Sequence, residues 1–266
     1  MKRLKELEQR NPEWLPWLGV VGEVIAADGR DWESAVPRCV APPHELAPLL
    51  AGSVLEVDGV AAARLLQKLI HLSGCGRRGL EEADAREAFR AALNRDDERL
   101  RARARSVELD PDRFRAVAAL LPQPFLRACN RGLRGALPRG WSQGYCPLCG
   151  AWAALAEICG VERVRYLRCG ECGSAWRVHG LSCTYCGLTN HDVLGSLVAQ
   201  GAPAKATLEI CGRCRGYLKA FNRLSPSAPE DVVLEDLASV ELDLAALERG
   251  YRRPEGPGHR LDVTLA

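Results

Sequence analysis

The residues in this chain best suited to chemistry are cysteines. Four pairs share one spacing: Cys146-Pro-Leu-Cys149, Cys169-Gly-Glu-Cys172, Cys183-Thr-Tyr-Cys186 and Cys211-Gly-Arg-Cys214. Two intervening residues let a tight turn present both sulfurs to one ion, and amides within the turn can donate to the thiolates and offset their charge. Gly150, Gly173 and Gly187 follow three of the pairs, where the chain must turn back. Two such turns brought together by a short sheet supply four thiolates in a tetrahedron, the arrangement preferred by zinc and by rubredoxin-type iron.

The gaps between pairs suggest a grouping. Nineteen residues separate Cys149 from Cys169, twenty-four separate Cys186 from Cys211, and only ten separate Cys172 from Cys183. The first gap fits a known metal-site spacing, the second is slightly long, and the third suits a connection between modules. One site is therefore expected at Cys146, Cys149, Cys169 and Cys172, and a second at Cys183, Cys186, Cys211 and Cys214. An interleaved arrangement, first and third pairs against second and fourth, stays open at this point. With four thiolates each, neither site keeps the open position that a catalytic zinc needs, so both ions are expected to act as structural staples. Dithiol redox centres are the alternative use of such pairs.

Other candidates carry blander readings. Cys39, Cys75, Cys129 and Cys159 are expected to be small buried apolar residues. His179 and His191 flank a site that already has four thiolates, and are read as surface or packing histidines. Trp176 and Tyr185 are expected to form the small cores of the modules, with base stacking as the sharper alternative. No phosphate loop, dinucleotide fingerprint, zinc-protease helix or nucleophile elbow occurs in the sequence, so no enzyme class gains support.

Composition narrows the classes further. Of 266 residues, 47% are hydrophobic and 26% charged, which is the balance of an ordinary soluble protein and excludes disordered, collagen-like or membrane-bundle chains. A formal net charge of +2 argues against a surface built to grip phosphates. The first fourteen residues are charged and lack an apolar stretch, so no secretory signal is expected and the location inferred is cytoplasmic. A reducing compartment disfavours disulfides, and this strengthens the metal reading of the clustered cysteines.

The elements that must position these cysteines fall into two styles. Residues 1–140 read as helical. Residues 60–70 are rich in Ala and Leu and stop at Ser73-Gly74, and Ala85, Ala88, Phe89, Ala92 and Leu93 form one helical stripe. The charge run 95–105 has little to bury and reads as a solvated helix end or linker. Asp110-Pro111 begins a helix that Pro122 and Pro124 should end. Beyond residue 140, short β-prone pieces at 164–168, 175–178 and 207–210 alternate with Cys and Gly. Residues 232–247 return to helix, with Leu237, Val240, Leu244 and Leu247 on one face, and the tail from Arg252 reads as irregular. The expected fold is α+β: a helical domain at 1–140, a first four-cysteine module at 141–181, and a second at 182–266 that includes a C-terminal helical segment.

One stretch resembles a known family. It comprises Arg165-Tyr-Leu-Arg-Cys169-Gly-Glu-Cys172-Gly-Ser-Ala-Trp176, Cys183-Thr-Tyr-Cys186, and Cys211-Gly-Arg-Cys214-Arg-Gly-Tyr217-Leu-Lys219. It continues through Asp236-Leu-Ala-Ser239-Val-Glu-Leu-Asp243 to Gly250-Tyr251. This resembles the FdhE family of formate dehydrogenase accessory proteins over about residues 145–251. The likeness is weaker in the helical half, where residues 120–125 are the most suggestive. The chain departs from the family pattern at Gly180, where an arginine is usual, and in its last eleven residues. The resemblance implies a non-catalytic, chaperone-like assembly factor of the cytoplasm. It also implies a helical domain followed by two rubredoxin-like modules holding iron or zinc through the eight cysteines named. The implied partner is the catalytic subunit of respiratory formate dehydrogenase, a molybdenum enzyme, met before its twin-arginine export. A homodimer is left open, and neither nucleic acid nor membrane insertion is implied. A nucleic-acid-binding zinc ribbon and a rubredoxin-type electron carrier are the alternatives.

Overall fold

The computed structural model describes residues 2–27, 30–38, 40–76, 80–178, 180–198 and 206–266. Two units form, one from Met1–Glu45, Leu49–Gly135 and Arg260–Ala266, the other from Leu46–Pro48 and Ala136–His259.

In the first unit, hydrophobic stripes organise eight helices among the described residues: α1 (Lys2–Arg10), α2 (Leu15–Ala26), α3 (Arg30–Glu33), α4 (Gly59–Ser73), α5 (Glu82–Leu93), α6 (Asp97–Ser106), α7 (Pro111–Ala118) and α8 (Gln123–Gly132). Asp58 caps α4 by accepting from the amides of Val60 and Ala61, and Gly74 ends it at φ +64°. Phe89 of α5 is fully buried, stacked on Trp32 with centroids 5.9 Å apart and edge-on to Phe125 at 5.8 Å. The charge run is a helix in its own right, not a linker. Leu100 and Ala104 give α6 a narrow buried seam, and its charges pair with neighbours, as in Arg99–Glu87 (3.4 Å), Arg101–Asp112 (3.0 Å) and Asp97–Arg115 (3.3 Å). Pro122 and Pro124 do follow α7, but they also open α8, where a missing N–H costs nothing. The tail is not wholly irregular either. Strand β8 (Thr264–Leu265) pairs in parallel with β1 (Val54–Leu55), and Asn94 exchanges hydrogen bonds with the Val263 backbone at 2.9 and 3.0 Å.

The second unit is built on one sheet of six strands: β2 (Ala153–Cys159), β3 (Val164–Cys169), β4 (Ala175–Arg177), β5 (Leu194–Leu197), β6 (Ala206–Cys211) and β7 (Tyr217–Arg223), in the order β4-β3-β2-β7-β6-β5. All neighbours are antiparallel except β2 and β7, which run parallel over five residue pairs. The order exposes a tandem repeat. Each half runs cysteine turn, strand, strand, cysteine turn, strand, and the second turn has the same register in both. Arg168 opposes Ala175 as Ile210 opposes Tyr217, in each case one residue before the turn and three after it. Strands β2, β3 and β4 therefore correspond to β5, β6 and β7.

One face of the sheet is covered by α9 (Asp231–Ala238) and α10 (Val240–Glu248). Val232, Leu242 and Ala246 pack there with Leu155, Leu208 and Phe221. Here the expected single helix is corrected. It breaks at Ser239, which changes the phase of the buried face, so Leu242 and Ala246 face the core while Leu244 and Leu247 are more than half exposed. Strand β2, Ala-Ala-Leu-Ala-Glu-Ile-Cys, is a strand despite its helix-forming composition because it is paired on both sides.

In the first unit, Phe89→Ala removes the ring shared by Trp32 and Phe125. It should destabilise the helical unit by about 3–5 kcal/mol, measured as a lowered urea midpoint by circular dichroism.

Candidate metal centres

Each cysteine turn is built alike. In every one the amide of the first cysteine donates to the backbone carbonyl five residues on: Cys146 N–H to Ala151 O (2.7 Å), Cys169 to Ser174 (3.0 Å), Cys183 to Leu188 (2.8 Å) and Cys211 to Gly216 (3.0 Å). The residue after the second cysteine is left-handed each time, at φ +70° for Gly150, +72° for Gly173 and +68° for Gly187, and at +56° for Arg215, which takes the glycine's place in the fourth turn. At Gly173 the lack of a side chain matters twice, because a Cβ there would lie 2.3 Å from Pro229 Cβ.

The structure gathers the eight sulfurs into two clusters, Cys146/Cys149/Cys169/Cys172 and Cys183/Cys186/Cys211/Cys214, each with all Sγ atoms within 4.8 Å of one another. The interleaved arrangement is not formed. Closest approaches are 3.5 Å for Cys146–Cys172 and Cys149–Cys169, 3.6 Å for Cys183–Cys214 and 3.8 Å for Cys186–Cys211. A tetrahedron with metal–sulfur bonds of about 2.3 Å has edges of about 3.8 Å, so the spacing fits one ion in each cluster. Turn amides face the sulfurs, with Leu148 N–H on Cys146 (3.4 Å), Cys172 N–H on Cys169 (3.5 Å) and Gly216 N–H on Cys214 (3.4 Å).

The electrostatics also call for a cation. Burial, then the neighbouring thiols, push the Cys172 thiol well above its ordinary range. Burial likewise raises Cys183 and Cys214. Burial acts against ionisation at Cys211 as well, but there the Cys214 and Arg213 amides outweigh it and bring the thiol down to about 7. Four crowded thiols resist joint ionisation, and a divalent ion reverses that preference. Both clusters are thus able to bind metal ions.

The clusters differ in exposure. All four cysteines of the first are fully buried, whereas Cys186 and Cys214 of the second are exposed. The remaining residues follow their bland readings where the structure describes them. Cys75, Cys129 and Cys159 are buried. Trp176 is buried with its indole N–H on Gln143 O (2.9 Å), and Tyr185 packs edge-on to Trp152 while its hydroxyl donates to Tyr217 O. His191 is exposed. Cys39 and His179 lie outside the described residues.

Two buried ionic clusters were not anticipated. Lys219 of β7, with no exposed surface, lies 2.9 Å from Asp236 Oδ1 and 2.6 Å from Asp243 Oδ2, and donates to Asp236 O and Ser239 Oγ. Arg253 pairs with both aspartates, and Tyr217 donates to Asp243 at 2.7 Å. Burial alone would raise the Asp236 carboxyl, but Arg253 and Lys219 together hold it below its ordinary value. The second cluster centres on Glu157 of β2, also without exposed surface, which takes Arg168, Arg223 and Ser227. Both tie the sheet to the segment carrying α9 and α10. The signal available in the sequence was the co-occurrence of Tyr-Leu-Lys with Asp-Leu-Ala-Ser, which the fold turns into one contact network.

Paired four-cysteine modules fused into one sheet and backed by two helices define a tandem rubredoxin-like class of protein. Residues 181–257 match the family model described as "FdhE, C-terminal domain". The chain is 36% identical over 116 residues to the FdhE homolog of Proteus mirabilis, covering 43% of this chain and 37% of that one. It is 35% identical over 188 residues to the Pseudomonas aeruginosa homolog, covering 64% and 60%. The matched stretches thus span less than two thirds of these relatives' length, 37% of the first and 60% of the second. In fold it is similar to the crystal structure of the FdhE protein from Pseudomonas aeruginosa, with a TM-score of 0.58 and 24% identity over 98% of this chain and 94% of that one. Over these stretches the chain is similar in sequence to FdhE proteins.

Two outcomes are expected. In metal-loaded protein, a thiol-alkylating reagent with a chelator should label Cys186 and Cys214 first and release the second ion before the first, as read by mass spectrometry; equal rates would contradict the asymmetry. Lys219→Met leaves the partly buried carboxylates of Asp236 and Asp243 with Arg253 and the Tyr217 hydroxyl as their remaining partners, and should cost about 3 kcal/mol of stability, visible as a lowered urea midpoint.

Proposed function

We propose that this chain is a non-catalytic assembly factor that binds the immature catalytic subunit of a formate dehydrogenase in the cytoplasm and assists its maturation before export. The carrying observation is the family match over residues 181–257, the stretch that holds the second cysteine cluster, the Lys219 network and both C-terminal helices. In this reading all eight clustered cysteines are ligands, each quartet holding one iron or zinc ion, and the chain divides functionally near residue 181 into two metal modules. The ion supplies a cross-link between turns, while the sheet and the helices behind it present the surface the partner meets. Four thiolates complete each coordination set, which suits support more than turnover. Among the described residues, no helix is long and apolar enough to cross a membrane.

Affinity capture of the tagged chain from cells making the dehydrogenase should recover its catalytic subunit, and deletion of the gene should lower formate oxidation. Recovery of no catalytic subunit, with activity intact in the deletion strain, would refute the reading. Cys186→Ser should halve the bound metal from two ions to one. Undiminished metal would show that Cys186 is not a ligand.

A further inference from the structure

The face of the sheet opposite α9 and α10 carries a cavity of about 780 Å³ lined by residues from all six strands. Its floor is apolar, with Ile158 of β2 and Leu218 and Ala220 of β7. Arg165 closes onto Glu209 (Nε to Oε1 3.1 Å) and Thr184 (2.9 Å), so that charge is already matched. The exposed rim charges are Arg163 and Arg177 against one carboxylate, Glu162.

Strand β5 forms one margin of this cavity. In the repeat it corresponds to β2, whose outer edge carries β7 through five parallel pairs. Among the described residues nothing pairs with the outer edge of β5. Val193 and Val198, at its two ends, are 38% and 65% exposed, and Leu181 on the cavity wall is 71% exposed. A row of unpaired amides and carbonyls is complemented by another backbone and not by a small molecule. An added strand would also direct alternate side chains toward the apolar floor, and the arginine excess on the rim favours an acidic neighbour.

We propose that this concave face is a docking site for an extended polypeptide segment with apolar side chains beside an acidic residue, seated along β5 and reaching into the cavity. The assignment deepens the function proposed above and rests on it, the segment being one in the dehydrogenase catalytic subunit. The first half of the repeat shows the geometry, since β7 lies along β2 as the segment would lie along β5.

The test uses the full-length, metal-loaded chain co-produced with the catalytic subunit. A benzoylphenylalanine photo-cross-linker is placed in turn at Ser196 and Thr207 in the cavity, and at Leu244 on the exposed face of α10. Cross-links from Ser196 and Thr207 to one contiguous stretch of the subunit, with none from Leu244, are expected. Arg163→Glu with Arg177→Glu should weaken capture about tenfold at unchanged metal content. Intact capture with cross-links only from Leu244 would overturn this site and leave the proposed function standing. Cross-links from Ser196 to a second copy of the chain would overturn the occupant. Absence of any captured subunit would overturn both.

Discussion

The second unit depends on bringing four sulfurs within bonding reach of one point, twice. Such a gathering is unfavourable on its own terms, because burial and mutual proximity oppose ionisation of the thiols. A cation converts that opposition into a cross-link, and the rest of the unit follows from where the cross-links fall. Each joins the turn before a β-hairpin to the turn at its end, and so adds a cross-link to the register that the sheet and its hydrophobic core already favour. The hydrogen bonds repeated across all four turns show that one local solution has been used throughout.

Repetition alone would leave two small modules. They become one sheet through the parallel pairing of β2 with β7, and that seam carries both buried ionic clusters: Glu157 lies on β2, and Lys219 and Arg223 on β7. Buried charges of this kind add little net stability but penalise any arrangement that leaves one unmatched. Their effect here is to fix how α9 and α10 lie on the sheet. With one face covered in this way, the opposite face carries the cavity, bounded on one side by β5, whose outer edge pairs with no other strand among the described residues.

The legibility of all this in the sequence was uneven, for physical reasons. Cysteine spacing is a short-range signal, and it identified both quartets because a metal-binding turn needs particular residues at particular offsets. The helix around Ala62 was legible from its Ala and Leu content and its Ser73-Gly74 stop, the helix around Phe89 from periodicity, and the cap at Asp110 from turn chemistry. Strand β2 was not legible, since Ala, Leu and Glu favour helix until neighbours on both sides supply a ladder. The face of α10 was misplaced because a break at Ser239, held through Lys219 from a distant strand, shifts its phase. The charge run of α6 concealed a helix whose support comes from ion pairs with α5 and α7, and not from burial alone. What escaped the sequence in each case depends on a partner far away in the chain.

The central claim concerns metal occupancy, and native mass spectrometry of anaerobically purified full-length protein, with elemental analysis of the same sample, addresses it directly. The account predicts two tetrathiolate-bound ions per folded chain and no disulfides among the eight clustered cysteines. A folded chain holding fewer than two ions, or holding those cysteines as disulfides, would contradict it.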